Sequence, residues 1–291
     1  MQVPFLNFEI MAQNYIWSLK RGGKKLICPN CGHKTFVPFV LTKDNETLAG
    51  EVFGRCDREN NCGYFCKPDK NSEQKGEPLV YLPPLPPSYI PYKYVSQSER
   101  DFNKQTLYRA FREYFSEQQM RNAFKKYHVG TTKSGATIFW QIDINNKVRT
   151  GKIMNYLADG HRDKSNFGTW VHKKIGGDDY VLRQCLFGEH LIKKNAKVAI
   201  VESEKTAIFC SIIYKDYTWL ATGGSGNVQT SKFMDLIKNY CSIFFFPDNG
   251  CEAEWISKVK NIGTVKTSLY DKNDELGIDI LDKFIKKYVY V

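Results

Sequence analysis

The chain of 291 residues lacks any apolar run near the roughly 18–20 residues that a membrane-spanning helix requires. Its first segment, MQVPFLNFEIMAQNYIW, also lacks a basic region, a continuous apolar stretch and a small-residue cleavage site, so it does not read as a signal peptide. We therefore expect a soluble, cytoplasmic protein with no membrane partner. Hydrophobic residues make up 42% of the chain and aromatic residues 14%, which is too rich for a disordered protein.

Acidic residues are in the minority, with 31 Asp and Glu against 42 Lys and Arg, and the net charge is +11. A basic excess favours a polyanionic partner, because each Lys or Arg near a phosphate releases a condensed counterion. Many globular proteins are simply basic, so the charge alone does not choose between a nucleic-acid surface and a solvated one.

The nine cysteines fall into two groups. Four are scattered, and three of those lie in or beside apolar strand or helix patterns, which is typical of small buried side chains. The other five lie close together near the N-terminus. The scattered group is Cys185, Cys210, Cys241 and Cys251, and the cluster is Cys28, Cys31, Cys56, Cys62 and Cys66.

The clustered cysteines have the spacing of a zinc ribbon. Cys28 and Cys31 form a CxxC pair followed by glycine, and Cys56 and Cys62 form a looser pair, also followed by glycine. The segment between the pairs has hairpin character, with strands at 35–41 and 47–54 around a turn at Asp44-Asn45. CxxC also serves redox chemistry, but the second pair favours structural zinc, bound by Cys28, Cys31, Cys56 and Cys62. Cys66 in place of Cys62, or His33, remains an alternative ligand.

Basic residues surround this cysteine cluster and could contact nucleic-acid phosphates, or could form a solvated face: Arg21, Lys24, Lys25, Lys34, Arg55 and Arg58.

Changes of pattern along the chain predict its organisation. A proline-rich run at 82–87 is typical of an extended spacer. Apolar residues recur at helical spacing over 98–126, and 136–159 reads as β structure. Beyond about residue 182, strands alternate with helices, which indicates a parallel sheet. We predict an α/β protein, α+β overall: a zinc-ribbon domain (1–78), a linker (79–90), a basic α+β subdomain (91–185) and a parallel-sheet α/β domain (186–291).

Two predicted strands of the last domain end in an acidic residue. Strand 196–201 is followed by Glu202, and strand 242–246 is followed after Pro247 by Asp248. Parallel strands present such residues at one edge of the sheet, where carboxylates can hold Mg²⁺. A glycine loop with Gly223 and Gly224 lies between them in sequence and could approach a phosphate. The alternative is that both acids are solvated loop or helix-capping residues.

These motifs resemble a known family. The segment from about 186 to 285, with Glu202, Gly223-Gly224 and Asp248, resembles the Toprim domain of DnaG-type primases, topoisomerases and related nucleases. The cysteine ribbon resembles the zinc-binding domain of such primases. The middle region, with 138–143 and 149–152, resembles the basic subdomain that precedes Toprim in them. The order of the parts is similar to primase-like proteins of phages and mobile elements of Bacteroidetes-type bacteria.

The resemblance implies a DNA-binding primase-like protein in replication or mobilisation of such an element. Its partners would be single-stranded DNA, nucleoside triphosphates and a separate helicase. Glu202 and Asp248 would be catalytic and, with Glu252, would hold Mg²⁺. The residues that would contact the substrate are Gly223, Gly224, Lys205, Arg149 and Lys152.

Basic and aromatic residues also mix through 93–174, as in surfaces that hold single strands. Alternation along a strand suggests that only one of Phe139 and Trp140 faces the core.

The chain departs from the family pattern at two positions. Gly250 replaces the second Asp of the Asp-x-Asp motif, so Glu252, Glu204 or Asp271 would have to compensate, and Ser203 stands where the family usually has Gly. A non-catalytic, zinc-dependent single-strand binder with a degenerate Toprim site is therefore an alternative, and a Toprim nuclease is another.

Overall fold

The structure is a computed structural model that describes residues 16–58, 62–68, 86–166, 168–177, 179–259 and 262–289. The chain divides into two compact units, Met1–Pro86 and Pro87–Val291. The N-terminal segment and most of the proline-rich run lie outside the described residues. No helix in the described ranges has the length and apolar character that crossing a membrane requires.

The first unit contains a four-stranded antiparallel sheet in the order β1-β2-β3-β4. Its core is small: the buried side chains of Cys28, Phe36 and Cys56 pack with partly buried Tyr64 and other cysteines. The strands are β1 (Trp17–Leu19), β2 (Phe36–Leu41), β3 (Gly54–Cys56) and β4 (Phe65–Cys66).

The predicted second hairpin strand at 47–54 is wrong. Leu48 makes one isolated bridge to Val40, and regular pairing with β2 resumes only at Gly54. The Asp44 carboxylate accepts hydrogen bonds from the Glu46 and Thr47 amides, which closes the predicted turn. A second turn at 50–53, in which the Phe53 amide donates to the Gly50 carbonyl, interrupts the strand.

The second unit contains an antiparallel and a parallel sheet, which confirms the predicted mixed α/β class with an N-terminal ribbon. The antiparallel sheet has the order β5-β6-β7-β8, and the parallel sheet the order β10-β9-β11-β12. The strands are β5 (Gly130–Thr131), β6 (Thr137–Ile142), β7 (Val148–Met154), β8 (Thr169–Trp170), β9 (Lys197–Val201), β10 (Thr218–Ala221), β11 (Ser242–Phe245) and β12 (Thr264–Val265).

Eight α-helices lie in the described ranges: α1 (Lys93–Ser98), α2 (Thr106–Ala110), α3 (Glu117–Lys126), α4 (Val171–Ile175), α5 (Glu204–Ile213), α6 (Met234–Lys238), α7 (Glu252–Lys258) and α8 (Ile280–Val289). The helical segment predicted for 98–126 is broken into pieces. Asp101 has a positive φ, and Ser116 begins α3 afresh with a capping box to Gln119, so one continuous helix cannot form.

The parallel sheet is buried on both faces. Ala199 and Val201 of β9 belong to one apolar cluster with Phe209 of α5. Val198 and Ile200 belong to a second cluster with Trp255 of α7. Helices therefore cover both faces of the central strand, as in other parallel sheets, and its carboxyl end is left for polar residues.

The expectation that only one of Phe139 and Trp140 is a core residue is wrong, because both are buried. Phe139 packs edge-on against Phe187, whereas Trp140 belongs to a different apolar cluster and donates its indole N–H to Ser98 Oγ at 2.9 Å. Alternation along β6 is intact, but the strand has a packed layer on each side.

Candidate functional site

Four thiols meet in the ribbon. The Sγ atoms of Cys28, Cys31, Cys56 and Cys62 all lie within 4.8 Å of one another, with Cys28–Cys62 at 3.7 Å and Cys31–Cys56 at 3.9 Å. Zn–S bonds of about 2.3 Å in a tetrahedron require Sγ separations of about 3.8 Å. The four thiols thus fit a structural zinc ion, which would cross-link the strands around this small core.

Local hydrogen bonds shape the cluster. The Cys28 amide donates to the His33 carbonyl and the Gly32 amide to the Cys28 carbonyl, which closes a tight turn beneath the first pair. Asn30 Nδ2 donates to Cys62 Sγ at 3.4 Å, and Thr35 Oγ1 lies 3.2 Å from Cys56 Sγ. Polar groups of this kind orient thiolates and stabilise their charge.

The pKa values of two of the thiols are shifted in opposite directions. Burial raises the pKa of Cys28 to about 12. Burial also opposes ionisation of Cys31, but hydrogen bonds from the His33 backbone and neighbouring thiols outweigh it and lower the pKa of Cys31 to about 6. A divalent cation would relieve this conflict, because it binds all four sulfurs as thiolates.

The two alternative ligands lie outside this group of four thiols. A His33 ring nitrogen is 2.8 Å from the Cys31 carbonyl and also faces Arg58, while Cys66 ends β4. Among the nearby cations, Lys25 and Arg55 both pair with Asp57.

The second unit contains a cleft of about 870 Å³ at the carboxyl end of the parallel sheet. Glu202 follows β9, Asp248 follows β11, and the glycine loop follows β10, so strand order alone brings them to one edge. Six of the residues predicted for the site line this cleft: Glu202, Asp248, Gly223, Gly224, Lys152 and Lys205.

Asp279 lines the same cleft, as do Glu204 and Asp163, and we did not predict Asp279 as a site residue. Its carboxylate caps α8 by accepting from the Leu281 and Asp282 amides at 2.9 Å, and it accepts a hydrogen bond from Thr206 Oγ1. The sequence signal was an Asp-x-x-Asp pair at the start of a helical pattern, which is a capping motif. The motif predicts the helix cap but not that Asp279 lies in the same cleft as Glu202 and Asp248.

The acids crowd one another. Burial raises the pKa of Asp248 to about 8, and the negative charges of Asp279 and Glu202 add to the effect. Burial likewise raises the pKa of Glu202 and of Asp279. Partly buried carboxylates whose charges repel one another favour binding either a proton or a cation.

Lys152 of β7 is engaged with the protein itself. Its Nζ is 3.1 Å from both carboxylate oxygens of Glu204 and donates to the Gly223 carbonyl at 2.9 Å. The side chains of Lys152 and Glu204 are 15% and 4% exposed. This buried pair joins the antiparallel sheet to α5 and fixes the glycine loop, where Gly223 has φ +76°.

Lys205 is similarly engaged, with Nζ 3.6 Å from Asp282 and 5.8 Å from the Phe111 ring centre. Two other predicted residues lie apart from the cleft lining. Arg149 donates to Asp143 at 2.7 Å and stacks on Tyr89. Glu252 begins α7 and accepts from the Gly250 amide at 3.0 Å.

Within the described ranges, the thiol cluster is the group in which at least three His, Cys, Asp or Glu ligand atoms lie within 4.8 Å of one another. The acids of the cleft do not converge to that extent. Such an arrangement suits Mg²⁺, which is usually bound by one or two carboxylates together with water and substrate phosphates.

Two family models match the sequence. A family described as zinc beta-ribbon finger matches residues 13–77, which confirms the predicted ribbon. A domain of unknown function (DUF6371) matches residues 105–249, a range that includes Glu202, the glycine loop and Asp248. No curated protein matches the sequence.

Three solved structures similar to this chain are fragments or domains of primases. The primase fragment of the bacteriophage T7 primase-helicase protein is 13% identical, with a TM-score of 0.42 over 58% of this chain and 66% of that one. The RNA polymerase domain of Mycobacterium tuberculosis primase DnaG is 11% identical, with a TM-score of 0.43 over 67% and 77%. The zinc-binding and RNA polymerase domains of Aquifex aeolicus primase are 15% identical, with a TM-score of 0.37 over 67% and 52%. This chain spans about two thirds of the T7 fragment.

Proposed function

We propose that this chain is a primase-type enzyme that joins nucleotides on a single-stranded DNA template, with Glu202 and Asp248 of a Toprim site as its catalytic acids. The observation that carries the proposal is the shared cleft: Glu202, Asp248 and Asp279 reach it from different elements, beside a glycine loop. These acids repel one another and have no ion-pair partner among the described residues, which suits them to a metal-dependent phosphoryl transfer.

The chain's own residues would divide the work as follows. Glu202 and Asp248 would hold Mg²⁺, which would neutralise phosphate charge and orient the reacting oxygens. Gly223 and Gly224 would let the backbone approach a phosphate without a side chain in the way. Lys152 would keep the loop in place through Glu204 rather than contact the substrate.

The ribbon would bind single-stranded DNA through its basic residues, with zinc as a structural ion that holds the binding surface together. A separate helicase would open the duplex, and the setting would be replication or mobilisation of a phage or another mobile element. Arg149 and Glu252 would have supporting parts, because both lie outside the lining of the cleft.

The test is Mg²⁺-dependent incorporation of labelled nucleotides on single-stranded DNA by the wild type, Glu202→Gln and Asp248→Asn. Asp216→Asn is a matched control, because Asp216 is an exposed acid outside the cleft. We expect product from the wild type and the control, and a loss of at least about 100-fold in the two cleft variants. Equal incorporation by all four proteins would refute the proposal.

A non-catalytic DNA-binding module is a second candidate, and Gly250 favours it. Gly250 has φ +90°, and a Cβ built there would lie 3.0 Å from Leu276 Cδ2. An Asp at this position would be strained, so the second acid of the family motif cannot simply be restored. This candidate predicts no product from the wild type, with zinc-dependent, salt-sensitive DNA binding intact and no Mg²⁺ requirement. Cleavage of the DNA in the same assay would instead indicate a nuclease.

A further inference from the structure

Residues 155–166, which follow β7, form a loop beside the cleft. The Leu157 amide donates to the His161 carbonyl at 2.8 Å, and the Asp163 amide donates to the Asn155 carbonyl at 3.0 Å. At its tip, Gly160 has φ +79°, and a Cβ there would lie 2.6 Å from Phe111 Cε2. The loop is therefore held by its own hydrogen bonds and by close packing on the core.

This loop presents cations to the cleft. Arg162 and Lys164 are exposed and both line it, together with Glu202, Asp248 and Asp279. The loop and these acids therefore face the same space.

These cations differ from the other basic residues of the cleft. Lys152 is paired with Glu204, and Lys205 with Asp282. Arg162 and Lys164, by contrast, have no ion-pair partner in the parts of the chain that the structure describes. The charges of Arg162 and Lys164 are therefore available to bind an anionic ligand.

We propose that Arg162 and Lys164 bind the triphosphate of the incoming nucleotide and so determine the preference of the cleft for triphosphates. The inference rests on the proposed function and deepens it by assigning the residues that recognise the substrate. Five acids line the cleft, including Asp163 of the loop itself, and Lys152 and Lys205 are already paired. A triphosphate would be repelled unless further cations offset this charge, and the loop supplies two. Its volume is also in the usual range for a small-molecule site, roughly 300–1,000 Å³.

The same phosphate chemistry occurs in the DNA backbone, so the experiment separates the two sources. Binding of MANT-ATP and MANT-AMP is titrated by fluorescence in the presence of Mg²⁺, and binding of fluorescein-labelled oligo-dT by anisotropy. The double variant R162A/K164A is compared with K133A/K147A, which removes the same charge from exposed lysines outside the cleft. R162K, which keeps the charge, is the conservative variant.

We expect R162A/K164A to weaken MANT-ATP binding by about 10- to 100-fold and to change MANT-AMP binding by less than about threefold, because the lost contacts go to the outer phosphates. K133A/K147A and R162K should bind MANT-ATP within about threefold of the wild type. In the incorporation assay, KM for the nucleotide should rise more than kcat falls.

Unchanged MANT-ATP binding with weakened oligo-dT binding would overturn the inference and assign the loop to DNA. Equal loss of MANT-ATP and MANT-AMP would also overturn it, since recognition would not be of the triphosphate. If R162A/K164A retains both binding and incorporation, only this inference fails. If the wild type neither binds MANT-ATP nor incorporates nucleotides, the proposed function fails with it.

Discussion

Replacing Lys152 by Met should destabilise the second unit, because it would leave Glu204 buried without its cation. The Met side chain keeps most of the lysine stem and removes only the ammonium group. That group is 3.1 Å from both Glu204 oxygens and 2.9 Å from the Gly223 carbonyl. Glu204 is 4% exposed, so water cannot replace the lost partner.

The magnitude follows from this burial. Removing one partner of a buried ion pair costs about 3–5 kcal/mol, because an uncompensated charge remains. A domain of this size has about 5–15 kcal/mol of stability in total, so the loss would be conspicuous. Neutralising the acid as well, in K152M/E204Q, should recover part of it.

The assay is urea unfolding at pH 7.5 and 25 °C, followed by tryptophan fluorescence, since Trp140, Trp219 and Trp255 are all buried in this unit. Lys133→Met is the control, because Lys133 is exposed and makes no ion pair with the residues that the structure describes. An unfolding free energy for K152M within about 1 kcal/mol of wild type would refute this reasoning. In that case Lys152 would be available to contact the substrate, as the family resemblance implies.

Three further predictions test other parts of the chain. The wild type should contain a single zinc ion by atomic absorption, and Cys56→Ser should lose it together with hydrogen-exchange protection of the ribbon amides alone. Burial, with Asp235 and Asp143 nearby, raises the pKa of Glu189 from 4.5 to about 7. The protonated Glu189 side chain thus stabilises the folded state fully below about pH 4.5, and this contribution of roughly 3 kcal/mol is lost as the pH rises to about 7. Urea unfolding of Glu189→Gln over the same pH range should not show this loss. Gly160→Ala should lower the melting temperature more than Gly177→Ala, because both have positive φ but only Gly160 has a neighbour within 4 Å; equal shifts would contradict the packing at Phe111.

Several features could be predicted because their causes are local. The cysteine spacing predicted the zinc ribbon, and the structure brings the four predicted thiols together. The alternation of apolar strands and amphipathic helices predicted the parallel sheet, which the structure contains. Once that sheet exists, residues directly after β9, β10 and β11 must share one edge, so Glu202, the glycine loop and Asp248 could be grouped in advance.

Other features depended on contacts between distant segments. Local pattern identified Asp279 only as a helix cap, and its place beside Asp248 follows from how α8 packs. The alternation along β6 was correct, but the burial of both Phe139 and Trp140 required a layer on each side of the strand. The strand predicted at 47–54 is absent because a second turn at 50–53, closed by the Phe53 amide on the Gly50 carbonyl, interrupts the pairing.

The division between paired and unpaired cations shows most clearly what cannot be predicted from the sequence alone. In the sequence, Lys152, Lys205, Arg162 and Lys164 are all basic residues that could contact a phosphate. Tertiary structure places Glu204 against the first and Asp282 against the second, and leaves the other two facing the cleft. Sequence spacing fixes which residues lie on the same strand or helix. Which charges neutralise one another is decided only when segments 50 or more residues apart come together, because electrostatic pairing depends on distance in space.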